Sequence, residues 1–423
     1  MTKKHEEILK KILKNVDIEK EKLNLMERVS ENFLKKLKKR IDKLDLVVDP
    51  FLGGSFAKKT LINKKNYDID LFLRFNKKYK NEDLSKLTKK LLKGFKNVKK
   101  IKGSREYYMV KINHWLCIEV VPVRKITKIK DAINITDFSY SHVKYINKKI
   151  KNKNILDEIK LAKAFTYANK TYGAESYVHG FSGYALELLI YHYKSFLKML
   201  EVLSKSKNKL IIDDEKYYKN KKDILLDLNS SKLDSPIILI DPTFKSRNVL
   251  AALSEATFEK FKQDAKDFLK KPCEEFFIKK KFDVINIIKN SKNILVFETK
   301  TKKQKGDIAG TKLLKFFRHF SYELKEYFEI KDFGFEYIDE KKGINVFVLT
   351  SKKKIICSGP SEKDLKNVEK FKLKHKKVFI EKGKYCYEKN LNIFPKEFFL
   401  KWKKKNKKKI KEMNINKLKL ISY

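Results

Sequence analysis

Apolar residues recur at helical spacing near the start of the chain, first Ile8, Ile12 and Val16 and then Leu34, Leu37 and Ile41. That period predicts one or two amphipathic helices over residues 5–43. From residue 46 the pattern turns strand-like, in the runs LVVDPFLGGSF, YDIDLFLRF, YYMVKI and WLCIEVVPV. A helical segment, DLSKLTKKLLKGF, separates the second run from the third, so residues 1–148 read as a small α/β head. Residues 149–280 read as a helical central domain. Within it SGYALELLIYHYKSFLKML is apolar almost all round and predicts one buried core helix. Residues 207–235 are polar enough to be a surface excursion, SPIILIDP is a short strand, and RNVLAALSEATFEKFKQDAKDFLK is helical. Beyond residue 280, NILVFETK, a helix around residues 311–328, FGFEYIDE and INVFVLTS make a β-α-β-β unit. An RRM-like or ferredoxin-like body over 281–393 fits that order, with a further helix in SEKDLKNVEKFKLKH. Residues 394–423, carrying FPKEFFLKWKKKNKKKIKEM, read as a basic helical tail. The fold class is therefore α+β and multidomain.

Charge changes the picture next. The 423 residues include 101 Lys and Arg against 53 Asp and Glu, a net charge of +48. A polyanion is the expected partner, nucleic acid first. Only seven of the bases are Arg, so an AT-rich genome that writes surface charge as Lys explains part of the excess. Cys117, Cys273, Cys357 and Cys386 stand far apart with no CxxC pair, which argues against a zinc site or a disulfide framework. The opening MTKKHEEILKKILKN has no continuous apolar stretch of a signal peptide, and no run approaches a membrane span, so the expectation is a cytoplasmic protein.

In so basic a chain the placement of acids is informative. Asp68 and Asp70 lie one residue apart in an apolar strand and project from the same face. Two carboxylates on one face repel unless a cation sits between them. The spacing suits two divalent ions, which lie about 3.5–4 Å apart in two-metal phosphoryl transfer. Oxygen-only ligands favour Mg²⁺. A pair of solvated acids on a strand edge is the alternative. Glu119 strengthens the metal reading, because LCIEVVPV holds no other charge and a buried bare carboxylate must be paired, protonated or metal-bound. The turn before the first strand supplies a phosphate cradle. Gly53 and Gly54 let the backbone approach a ligand, Ser55 adds a hydroxyl, and Lys58 and Thr60 follow within reach.

These residues resemble a known pattern. GGSFAKKT followed by YDIDLFL is similar to the G-S-x-A-R-x-T…[DE]-[IV]-D motif of the DNA polymerase β superfamily of nucleotidyltransferases. IKLAKAFTYANKTYGAESYVHGFSGYALELLIYHYKSF resembles the central region of archaeal, class I CCA-adding enzymes. IDPTFKSRNVLAALS and GPSEKDLKNVEKF resemble two further segments of that family, so the likeness runs from residue 53 to about residue 372. The resemblance implies a tRNA nucleotidyltransferase that adds C, C and A to the tRNA 3′ end from CTP and ATP with no nucleic-acid template. It implies Asp68, Asp70 and Glu119 as catalytic metal carboxylates for two Mg²⁺ ions. Gly54, Ser55, Lys58, Lys163 and Tyr172 would serve the triphosphate. His142 falls on the histidine of the family's R-T-P-x-H segment, and Arg247 would present and read the incoming base. The basic C-terminal half would grip the tRNA acceptor and T-arm, and family members are often homodimers.

The chain departs from the family at four points. Glu119 replaces an Asp, Lys58 replaces the motif Arg, Phe138 and Ser139 replace the R-T before His142, and His179 replaces the Arg of RGFSGY. Lys58 keeps the charge and loses the planar fork. Two other readings share much of this pattern, a poly(A)-polymerase-like nucleotidyltransferase and a catalytically inactive RNA-binding homologue. His114 and His319 carry no functional signal, and the tail lysines are either a solvated helix face or a patch for tRNA phosphates.

Overall fold

The structure is a computed structural model that describes residues 3–101, 105–126, 131–279, 293–302, 304–339, 341–352, 354–375, 377–390 and 393–421. The chain divides into two compact units, residues 1–280 and 281–423.

The first unit opens with helices α1 (Lys3–Val16) and α2 (Lys20–Lys43), followed by β1 (Val48–Leu52), the single turn α3 (Gly54–Ala57) and β2 (Tyr67–Phe75). Helix α4 (Leu84–Leu91) leads into β3 (Val98–Ile101), β4 (Tyr107–Lys111) and β5 (Leu116–Arg124). The strands form one sheet in the order β1-β2-β5-β4-β3. Its central pair, β2 and β5, runs parallel and the other pairs run antiparallel. Alternation sorts the two faces. Ile69, Leu71, Leu73 and Phe75 of β2 and Ile118 and Val120 of β5 are buried, and α2 covers them with Met26, Phe33, Leu37 and Ile41. Asp68, Asp70 and Glu119 are left on the opposite face.

A second core within this unit is helical. It is built by α5 (Ser139–Lys149), α6 (Lys153–Ala168), α7 (Gly183–Tyr193), α8 (Phe196–Lys205) and the helix Glu255–Lys270. The Phe165 ring sits among those of Phe196, Phe261, Phe268, Phe276 and Phe277. Three sequence expectations are corrected here. The apolar run over 182–200 is two helices, because Lys194 takes a left-handed φ of 62° and Ser195 caps the next helix by accepting from the Lys198 amide. Helix α1 does not belong to the head, because Leu9 and Ile12 pack into the helical core. Residues 247–254 are not helical, because β8 (Phe244–Asn248) pairs with β7 (Ile237–Asp241) and the helix starts only after the Ser254 cap. Before these strands, β6 (Leu210–Ile212) pairs with β7, and Ile224 and Leu228 cover Ile238 and Ile240, so the polar excursion carries a small core of its own.

In the second unit β9 (Ile294–Thr301) is followed by the helix Gly306–Tyr327 and the hairpin β10 (Phe328–Asp339) and β11 (Lys342–Ser351). A small sheet follows, in the order β12-β14-β13, from β12 (Lys354–Ser361), β13 (Val378–Glu381) and β14 (Lys384–Asn390). The helix Pro395–Lys405 and β15 (Ile415–Leu420) then return to the main sheet, whose order is β10-β11-β9-β15, antiparallel throughout. This corrects the reading of 394–423 as a basic helical tail. Phe398, Phe399 and Trp402 form one buried strip on Phe297, Phe316 and Phe320, and β15 is an edge strand of the main sheet. The lysines of this segment occupy the outer face, and their number masked the strip in the sequence. Among the described residues no helix is long and apolar enough to cross a membrane.

Candidate active site

The parallel register of β2 and β5 sets Asp70 directly opposite Glu119 and Asp68 opposite Cys117. Burial, with Asp68 nearby, pushes the Asp70 carboxyl up to about 6, against the pull of Lys58 and Lys64. Burial, then Asp70 and Asp68, pushes Glu119 up to about 7. Burial and the same three acids push the Cys117 thiol to about 12, so it stays protonated. This face thus gathers three carboxylates, of which Asp68 is paired with Lys64.

The turn ahead of β2 closes tightly on it. The Gly53 amide donates to the Asp70 carbonyl at 2.8 Å. Gly54 has a φ of +61°, and a Cβ there would lie 1.7 Å from Asp70 Oδ2. Only glycine lets the backbone wall stand that close to the carboxylate. Gly54→Ala is expected to lower stability by about 1–2 kcal/mol for the left-handed conformation alone. It should also displace Asp70, so that the nucleotide incorporation which the sequence resemblance implies would fall out of proportion to the drop in melting temperature.

The three acids share a face without closing around a point. Asp68 Oδ1 lies 3.2 Å from Lys64 Nζ, and among the described residues no three His, Cys, Asp or Glu side chains are arranged to hold a metal ion. The donor set still fits a hard divalent cation. It is all carboxylate oxygen, and Gly54 leaves the space beside Asp70 free of a side chain.

Ser55, Lys163 and Tyr172 line one small cleft with Thr60 and Lys64. Lys58 and Lys163 converge on a residue that the motif reading did not single out. Glu187, buried in α7, accepts from Lys58 Nζ at 2.5 Å, Lys163 Nζ at 2.8 Å and Thr60 Oγ1 at 2.9 Å. Burial alone would raise Glu187, but Lys163 and Lys58 hold it down to about 2. Burial lowers Lys163 to about 8, although Glu187 opposes the shift.

His142 and Arg247 form a neighbouring cluster around another buried carboxylate, Asp241. Its Oδ2 lies 3.0 Å from His142 Nε2 and accepts from Arg247 Nη1 at 2.5 Å. Its Oδ1 accepts from Tyr184 Oη at 3.2 Å and from the Thr243 amide and hydroxyl, both at 2.8 Å. Burial opposes ionisation of Asp241, but His142, Arg247 and Thr243 hold it well below the usual carboxylate range. Burial lowers His142 despite Asp241, which favours the neutral ring. Tyr184 joins the two clusters, because its ring stacks on His142 at 4.1 Å and lies 5.8 Å from Lys58 Nζ. Phe138, one of the departures, is buried and stacks on Phe244 at 5.2 Å. His179 has a φ of 52° and its Nδ1 lies 3.3 Å from the Ala252 carbonyl, so it serves a turn.

Glu187, Asp241 and Tyr184 were missed by the motif reading. Each acid had a signal, since it is the one charge in an apolar run, ALELLIY or IILID. The same reasoning had selected Glu119.

Residues 157–278 match the family model described as tRNA nucleotidyltransferase, second domain. The chain is 42% identical over 220 residues to the CCA-adding enzyme of Nanoarchaeum equitans, covering 52% of this chain and 54% of that protein. It is 31% identical over 283 residues to the CCA-adding enzyme of Methanocaldococcus jannaschii, covering 64% of this chain and 61% of that protein. The matches span about half to three fifths of these relatives' own length. Among solved structures, Cid1, described by its RNA terminal uridylyl transferase activity, superposes with a TM-score of 0.52 at 9% identity, over 66% of this chain and 99% of that one. That likeness concerns the fold.

Proposed function

We propose that this chain is a tRNA nucleotidyltransferase that adds C, C and A in turn to the tRNA 3′ end from CTP and ATP, with no nucleic-acid template. One observation carries the reading. Asp70 faces Glu119 across two parallel strands, with Asp68 on the same face and the Gly53–Gly54 turn against it. The likeness to archaeal CCA-adding enzymes supports it.

On this reading Asp68, Asp70 and Glu119 hold two Mg²⁺ ions, which when bound lower the pKa of the tRNA 3′-hydroxyl and neutralise the phosphates. The 3′-oxygen attacks the α-phosphorus in line and pyrophosphate leaves. Ser55, Lys58, Lys163 and Tyr172 serve the pyrophosphate side. Arg247 keeps further N–H donors beyond the Nη1 bound to Asp241, which on this reading would meet the base with His142 beside them. Asp241 holds both at fixed positions, so the pocket is formed before the nucleotide arrives.

The working division is a catalytic head over 1–148, a central domain over 149–280 with nucleotide-binding residues, and a tRNA-binding body beyond. The β-α-β-β order of the second unit, completed by the helix Pro395–Lys405 and β15, supports a ferredoxin-like body that grips the acceptor and T-arm by backbone shape. A homodimer and a cytoplasmic setting belong to the same reading.

The test is a tRNA transcript lacking its 3′ CCA, incubated with Mg²⁺ and CTP, ATP or both, with products sized on a gel. Two residues added from CTP, and a third only with ATP present, is the expected result. A long tail from ATP alone would reassign the chain to poly(A) synthesis. Bound tRNA with no extension would leave an RNA-binding protein.

A further inference from the structure

Four near-parallel rings run through the cluster around Asp241. Phe244 faces Phe138 at 5.2 Å and 18°, Phe138 faces His142 at 6.2 Å and 20°, and His142 faces Tyr184 at 4.1 Å and 23°. Offset rings at such separations attract. The backbone sets them up. Phe138 sits at the N-cap of α5 and His142 lies four residues on, in its first turn, so both project from one side of the helix. Tyr184 comes from α7, and Phe244 from β8, the strand that carries Arg247. Phe138 is buried and stands where the family pattern has Arg, so this chain sets an apolar ring face against His142.

The edge of the imidazole is held differently. Nε2 lies 3.0 Å from Asp241 Oδ2 and 3.3 Å from Arg247 Nη1, whereas Nδ1 makes no hydrogen bond among the described residues. Contacts at one nitrogen fix where that atom sits more firmly than the plane of the ring, because χ2 of His is a broad torsion. The packed faces therefore set the plane, and the plane sets where Nδ1 points.

We propose that Phe138 is a positioning residue for the nucleotide: through the run of rings it fixes the plane of His142, and with it the direction from which Nδ1 meets the incoming nucleotide. This rests on the nucleotidyltransferase reading and deepens it. Phe138 touches no substrate and acts through His142.

Phe138→Leu keeps most of the volume and removes the ring face. It is expected to raise KM for CTP and ATP about three- to tenfold, the range of one aromatic pair, with kcat within about twofold. Phe138→Tyr keeps the ring and should stay within about twofold of wild type. Phe244→Leu, one ring further along, should act in the same direction and more weakly, and it is the variant to use if Phe138→Leu does not fold. Calorimetry with CTP on the full chain gives the coupling. In a His142→Ala background Phe138→Leu should cost no further affinity, because the residue it acts through is gone. A readout that needs neither catalysis nor nucleotide is the ring NMR signal of His142 in histidine-labelled protein, assigned by its loss in His142→Ala. Phe138→Leu should move that signal and leave those of the other six histidines in place.

An unchanged KM in folded Phe138→Leu, an unmoved His142 signal, or an equal loss of CTP affinity with and without His142 would overturn the proposal. Wild type that never extends tRNA, with a His142 signal that moves in Phe138→Leu, would reject the nucleotidyltransferase reading and leave the ring run standing as what orients His142.

Discussion

Asp70→Asn is expected to reduce nucleotide addition by at least about a thousandfold, equivalent to about 4 kcal/mol of lost transition-state stabilisation. Asn keeps the shape and one oxygen but removes the charge that a divalent ion needs. The same change should stabilise the metal-free protein. Asp70 is held up to about 6 by burial and by Asp68, above its ordinary value, so its ionised form opposes folding. The destabilisation is absent below the unfolded-state pKa and grows as pH rises through about 6. At pH 7.5 the variant should gain about 1–3 kcal/mol, the upper figure being discounted in practice by solvent screening. At pH 4 wild type and variant should melt alike. Mg²⁺ should raise the melting temperature of wild type and leave that of Asp70→Asn unchanged. A variant retaining a tenth of the activity would remove Asp70 from the metal site.

The second large effect is in the segment first read as a tail. Phe399 is fully buried against Phe297 and Phe320, so Phe399→Ala should destabilise the second unit by about 3–5 kcal/mol. Deleting residues 394–423 should unfold that unit, because β9 would lose β15 and the sheet would lose its covering helix. Trp402 is a built-in reporter, and a Trp115→Phe background leaves it as the sole tryptophan. Its fluorescence in a denaturant titration should show the Phe399→Ala midpoint shifted down. A truncated chain with an intact β9-β11 sheet by hydrogen exchange would restore the tail reading.

How legible this was in the sequence depended on how far charge and burial agreed. β2 was readable to the residue, because in YDIDLFLRF the buried Tyr67, Ile69, Leu71, Leu73 and Phe75 alternate with Asp68, Asp70 and Arg74. The helix Pro395–Lys405 was readable as a helix but not as core, since its lysines dominate the composition while three aromatic rings do the packing. α1 was placed with the wrong partner, because an amphipathic period says that a face is buried and not against what. Arg247 donates to the buried Asp241, and three further arginines also make specific contacts. Arg105 grips buried Asp137, Arg40 caps the carbonyls of Leu91 and Lys90, and Arg74 lies 3.7 Å from the Tyr140 ring centre. In a chain that writes charge as Lys, these are positions where a fork or a plane is needed. Glu187 and Asp241 lie inside segments quoted for the resemblance, GFSGYALELLI and IDPTFKSRNV, yet the motif reading gave them no role; what draws attention to them is their hold on Lys58, Lys163, His142 and Arg247.

The attachment of α1 to the helical core also bears on how the chain is made. Leu9 and Ile12 bury against that core, His5 meets the Phe268 ring edge-on, and Lys11 pairs with Glu274 at 2.5 Å. α6, the first helix α1 packs against, leaves the ribosome roughly 140 residues after α1, and Phe268 and Glu274 follow only after roughly 260, which at translation rates means roughly ten to fifty seconds. Until these arrive the apolar stripe of α1 is incompletely covered, and its flanking lysines keep it in solution. The head sheet can close meanwhile, since α2 and all five strands lie before residue 125. α1 then docks late, and synthesis of the helical core, rather than of the head, completes the first unit.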